Sequence, residues 1–141
     1  MVAIPLKRRY DRHAEQRAER KGPYNSLLAT ERGIVYVLDS WRFSNFDSLP
    51  PSLAELRGRR RSIDATLAAV ASPEVETLGD SCRRSGDMYL LAIQQHRENV
   101  RQSANSAQRR ETWSHVESDR ARAHAAVGEL ERRIREELGR L

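Results

Sequence analysis

At 141 residues the chain is long enough for one domain with a real core. Its 38% apolar and 32% charged residues, with seven Gly and five Pro, suit long amphipathic helices better than a compact α/β enzyme. The single cysteine, Cys82, excludes an internal disulfide, and the net charge of +5 is uneven: seven bases against three acids in residues 1–22, six against five in residues 23–71, and twelve against twelve in residues 72–141.

The positive excess therefore sits in an N-terminal arm. Such a patch attracts phosphate, from nucleic acid or lipid headgroups, without supplying specificity. The high ratio of arginine to lysine, 23 to 2, points to a GC-rich genome rather than to a ligand. The apolar runs at residues 34–38 and 67–71 are five residues long, against about 20 needed to span a bilayer. No basic segment leads into an apolar one as in a secretory signal. These features predict a soluble, cytoplasmic chain, at most peripheral to the inner face of a membrane.

Residues 1–22 are predicted to form a basic helical arm, with Leu6, Tyr10, Ala14 and Ala18 as its thin apolar stripe. Gly22-Pro23 predicts a break or a new helix start, because proline is tolerated mainly in a first helical turn. Residues 23–141 then form the bundle domain.

The run Ile34-Val35-Tyr36-Val37-Leu38 before Asp39 permits a strand that delivers an aspartate to an active site. A helix explains more. Tyr24, Leu27, Ile34, Leu38 and Trp41 recur at heptad-like spacing, with Leu28 and Val35 widening the same face. A strand here would find one candidate partner, at residues 88–93, and two isolated strands are marginal. The helix reading buries Val35 and Leu38 against the last helix and turns Asp39 toward water.

The stretch "FSNFDSLPPS" predicts a loop. Ser52 and Glu55 match a capping box, and Leu53, Leu56, Arg60, Ile63, Leu67 and Val70 continue a second helical seam. In "ASPEVE", Ser72 is an N-cap, Pro73 takes the first helical position, and Glu74 and Glu76 sit in the positive first turn. So short a connection predicts that the second and third helices pack as antiparallel neighbours.

The third helix should run from Pro73 to about Gln102, with Val75, Leu78, Cys82, Ser85, Tyr89, Ala92 and His96 inward and Gly79 and Gly86 as weak points. "SANSAQ" predicts a joint, and the last helix runs from about Gln108 on a seam of Trp113, Val116, Ala123, Val127, Leu130, Ile134 and Leu141. Glu129–Arg133, Glu131–Arg135 and Glu136–Arg140 are favourable i, i+4 pairs. The fold class is all-α: an antiparallel bundle of about four long, coiled-coil-like helices with a basic arm.

Chemistry is thinly represented. His13, His96, His115 and His124 lack metal-ligand spacing; His115 and Asp119 suit a surface pair, and His96 a satisfied, mostly buried seam position. Cys82 precedes Arg83-Arg84, which would lower a thiol pKa, but no partner base is evident, so a small core residue is expected. Asp39, Asp47, Asp80 and Asp87 form no recognisable dyad. No cofactor or metal site and no enzymatic activity are predicted.

Lys7, Arg8, Arg9 and Arg12 in the arm, with Arg57, Arg59, Arg60 and Arg61 in "RGRRR", are the candidate anion or phosphate contacts. Helical spacing spreads the second group around the cylinder, and no aromatic residues interleave for base stacking. Glu31, Arg60, Arg120 and Glu137 are charges on otherwise apolar seams. They either face water or pair across helices and fix register.

In "RAERKGPYNSLLA", "VASPEVETL" and "RIREELGRL" the chain resembles a loose group of uncharacterised actinobacterial helical proteins. That resemblance implies an all-helical fold and no catalytic residue. Members of the group often carry a membrane-spanning segment ahead of the basic helix; these 141 residues contain none. The expected partners are therefore another protein or a second copy, through helix–helix contact. The alternative is nucleic acid or an anionic membrane surface, through the arm and residues 57–61.

Overall fold

The structure, a computed structural model, describes residues 6–102 and 105–139, with side chains from residue 14 onward. Four helices account for nearly all of it: α1 Leu6–Trp41, α2 Pro51–Val70, α3 Pro73–Arg101 and α4 Ser106–Leu138, with no strand among the described residues. The run at residues 34–38 is helical, and Tyr24, Leu27, Leu28, Val35, Leu38 and Trp41 are buried on one face of α1. Val35 lies beside Val127 and Gly128 of α4.

The helices alternate up and down around α1, which touches all three others. On α1 and α4, Tyr24 meets Glu137 at one end and Asp39 meets Arg120 at the other, an antiparallel pairing. On α3, Ser72 lies by Tyr24 and Arg97 by Trp41, so α3 runs parallel to α1. The α3–α4 hairpin is the most extensive contact, with α1 laid into it. Its core includes Tyr89, Ile93, Val116, Leu130 and Ile134. Each fully buried large side chain contributes about 1.5–3 kcal/mol.

Four local expectations change. No break occurs at Gly22-Pro23: α1 continues through both residues. A helix-interior proline costs about 3 kcal/mol, and the buried Tyr24, Leu27 and Leu28 immediately after it offset that cost. The Ser52–Glu55 capping box does not form. Pro51 already occupies the first helical position after Pro50, so Ser52 lies inside the first turn.

The α2 helix also packs closely on α1 rather than on α3, which it meets antiparallel through the side-chain pairs Arg57–Asp87 and Arg83–Asp64 across the short Ala71-Ser72 joint. Its buried positions, Leu53, Arg60 and Leu67, form a stripe one residue wide with heptad spacing. A stripe that narrow satisfies one neighbour, and α1 takes it. Finally, Arg133 reaches Glu137 (2.9 Å) and Glu136 (3.6 Å) rather than Glu129. Glu131–Arg135 forms as expected at 2.6 Å, while Arg140 lies outside the described residues.

Both remaining helix starts are secured by side chains. Ser72 accepts a hydrogen bond from the Val75 amide at 3.2 Å, as expected. Asn105 and Gln108 form a reciprocal capping box that opens α4 before the expected position. Gly139, in the left-handed region at φ 76°, closes it.

Candidate interaction surfaces

Each charge on the seams has an ion-pair partner on another helix. Arg60 and Glu31 meet at 2.5 Å, both buried. The guanidinium lies beside Gly79 of α3, where a Cβ would make ordinary contact with Arg60 Nη2 at 3.4 Å and Leu27 Cδ2 at 3.6 Å. Burial pushes the Glu31 carboxyl up, against the opposing pull of Arg60. Glu137 accepts from Tyr24 (2.9 Å), Ser72 (2.6 Å) and Arg133 (2.9 Å), so one carboxylate ties α1, the start of α3 and the end of α4 together.

Asp39 does not point at free water. It accepts from Tyr89 Oη at 2.7 Å and Arg120 Nε at 2.9 Å, and contacts His124 Nε2 at 2.8 Å. Burial works to raise its pKa, but those three hydrogen bonds outweigh it and hold Asp39 below the usual carboxylate range. The sequence marks Arg120 as a charge on an apolar seam but turns Asp39 toward water, so the hub that joins them was not legible in it.

The predicted anion contacts separate into distinct settings. The side chains of Lys7, Arg8, Arg9 and Arg12 lie outside the described residues. Arg57 pairs with Asp87 at 3.3 Å, and Arg60 is buried against Glu31 and Asp64. Arg59 and Arg61 are exposed and have no carboxylate partner among the described residues. Residues 57, 60 and 61 line a cleft between α2 and α3 of about 660 Å³.

A second surface lies at the other flank of α1, where it turns into residues 42–50. Arg97 of α3 donates to the carbonyls of Trp41 (2.5 Å), Ser44 (2.7 Å) and Phe46. Its guanidinium stacks 4.2 Å above the Trp41 ring, and Trp41 Nε1 donates to Phe46 O at 3.2 Å. The loop's carbonyls thus turn inward while its side chains turn out. Phe46 is 76% exposed, Phe43 66% and Tyr36 of α1 73%, with Leu49 also exposed. Tyr36, Val37, Trp41, Phe46, Leu49 and Pro50 line a mostly apolar groove of about 500 Å³.

Nucleophilic and metal chemistry find little support. Burial pushes the Cys82 thiol up to about 12, helped by the Glu31 charge, so it is protonated at neutral pH. His96 is part-buried, bonded to Thr112 Oγ1 at 2.8 Å and packed on Trp113. Asp119 pairs with Arg122 (3.5 Å) rather than with His115. Among the described residues no three His, Cys, Asp or Glu side chains are placed to hold a metal ion, and no helix is long and apolar enough to cross a membrane. Comparison with known protein families, with curated protein sequences and with solved structures gave no match.

Proposed function

We propose that the chain is a non-enzymatic interaction module that docks another protein surface, a partner or a second copy, on the face formed by Tyr36, Phe46 and Leu49. The observation carrying this reading is the bracing of the loop by Arg97. A loop with its backbone fixed and its aromatic side chains exposed loses little entropy when a partner covers it. Contiguous exposed apolar surface of this kind marks contact sites. The lone cysteine favours a reducing interior as the place of action, and the resemblance to actinobacterial helical proteins implies no catalytic residue that would compete with this reading.

Sedimentation velocity across a concentration series tests the self-association branch. The wild type should associate, and Phe46→Ser/Leu49→Ser should weaken association at least about tenfold, the effect of losing about 1.4 kcal/mol. The unfolding midpoint should stay unchanged. A wild-type monomer at every concentration removes the second copy as occupant and leaves a different protein.

The second reading, contact with nucleic acid or an anionic membrane surface, is favoured by the exposed Arg59 and Arg61 and by the charge of the arm. It requires binding that falls steeply with added salt.

A further inference from the structure

The cleft between α2 and α3 has a floor and a roof of opposite chemistry. Its floor is mostly apolar, built from Ile34 of α1 and from Cys82, Gly86 and Leu90 of α3, beside the buried Glu31–Arg60 pair. Gly86 widens it: a Cβ there would meet Ile34 Cγ2 at 3.9 Å and nothing nearer. The roof is two ion pairs that cross from α2 to α3, Arg57–Asp87 and Arg83–Asp64, each at 3.3 Å. All four side chains are between 41% and 61% exposed, so neither bridge contributes much to holding the cleft shut. Arg61 stands on α2 one turn from Arg57 and one from Asp64, lining the cleft between the two bridges without a carboxylate of its own.

We propose that this cleft binds a single-chain amphiphile with an anionic head, a fatty carboxylate or an alkyl phosphate. The head sits on Arg61, where a guanidinium offers paired, charge-assisted hydrogen bonds to either oxyanion. The tail lies over Gly86 toward Leu90. Charge selects the sign of the head, since four arginines against three carboxylates line the cleft. Entry requires only that Arg57 or Arg83 swing from its aspartate. The volume of about 660 Å³ is that of an ordinary small-molecule site, about 300–1,000 Å³. The site is separate from the aromatic face, so it stands whether or not that face docks a partner.

The test is calorimetric titration with octanoate, decanoate and dodecanoate below their micellar concentrations, beside dodecyl phosphate and dodecyltrimethylammonium. Affinity should rise with chain length, by up to about fourfold per methylene. The anionic probes should bind and the cationic one should not; dodecanoate against dodecyl phosphate distinguishes a carboxylate from a phosphate head. Arg61→Gln should weaken dodecanoate about tenfold or more, while Arg59→Gln leaves it unchanged. Both side chains are exposed, so both variants should keep the wild-type unfolding midpoint. Gly86→Leu should block dodecanoate by filling the floor. Failure of dodecanoate to bind, equal binding of dodecyltrimethylammonium, or an Arg61→Gln variant that binds like wild type would each overturn the proposal.

Discussion

Arg60 of α2 and Glu31 of α1, 29 residues apart in sequence, meet at 2.5 Å with side chains 9% and 4% exposed. Leu53 and Leu67 are buried one heptad to either side of Arg60, so the pair fixes the register in which α2 lies on α1. Removing Arg60 strands the buried Glu31 carboxylate, at a cost of about 3–5 kcal/mol, whereas removing Glu31 leaves Arg60 bonded to Asp64 at 3.1 Å. Urea unfolding of Arg60→Met should show a loss of that size. Glu31→Leu/Arg60→Met should recover most of it. An Arg60→Met variant within about 0.5 kcal/mol of wild type, the range of a neutral surface change, would mean that the pair is not the lock.

Ser72 caps α3 and donates to Glu137 at 2.6 Å. Ser72→Ala should therefore cost about 0.5–2 kcal/mol, toward the upper end because the part-buried Glu137 carboxylate loses a donor as well as the helix losing a cap. Thermal unfolding measures this directly.

The acid limb of stability should be governed by Asp39 and Glu137. Burial raises both carboxyls, but hydrogen bonds from Tyr89, Arg120 and His124, and from Ser72, Tyr24 and Arg133, outweigh it and leave both depressed. A depressed folded pKa contributes stability that is present above the unfolded value, about 4 for these groups, and is lost as pH falls through the folded value. The unfolding midpoint should drop below about pH 4. Asp39→Asn should be less stable at neutral pH and lose less on acidification. Glu31, with its pKa raised by burial, contributes with the opposite sign. An acid limb equally steep in Asp39→Asn would contradict this assignment.

Arg20 ties the first half of α1 to the rest of the bundle, donating to Val70 O at 2.8 Å and pairing with Glu137 at 3.3 Å. A chain beginning at residue 14 should unfold within about 0.5 kcal/mol of the full chain. One beginning at residue 23 should unfold more easily, having lost the Arg20 contacts. Equal stability of the two would place Arg20 outside the structural unit.

Local signals were legible in the sequence. Heptad spacing gave the seams, and Ser72-Pro73 gave the start of α3, because each depends on a few neighbouring residues. Ser52 misled because Pro51, one residue earlier, sets the helix start more strongly. Gly22-Pro23 misled because the cost of a proline in a helix is local while the burial that offsets it lies in the tertiary fold. Glu31 and Arg60 stood out as charges on apolar seams, which marked positions but not partners. The Asp39 hub and the Arg97 brace join residues 50 to 85 apart, and neither leaves a periodic trace.

If the braced loop docks a protein, Phe46 lies within reach of that protein in the cell. The most direct measurement is photo-cross-linking in living cells with a benzophenone side chain at position 46, compared with the same probe at Gln95, an exposed position on α3. Position 46 should give a defined cross-linked protein band, a second copy or a distinct partner, and position 95 none. No product at position 46, or the same products from both positions, would contradict it.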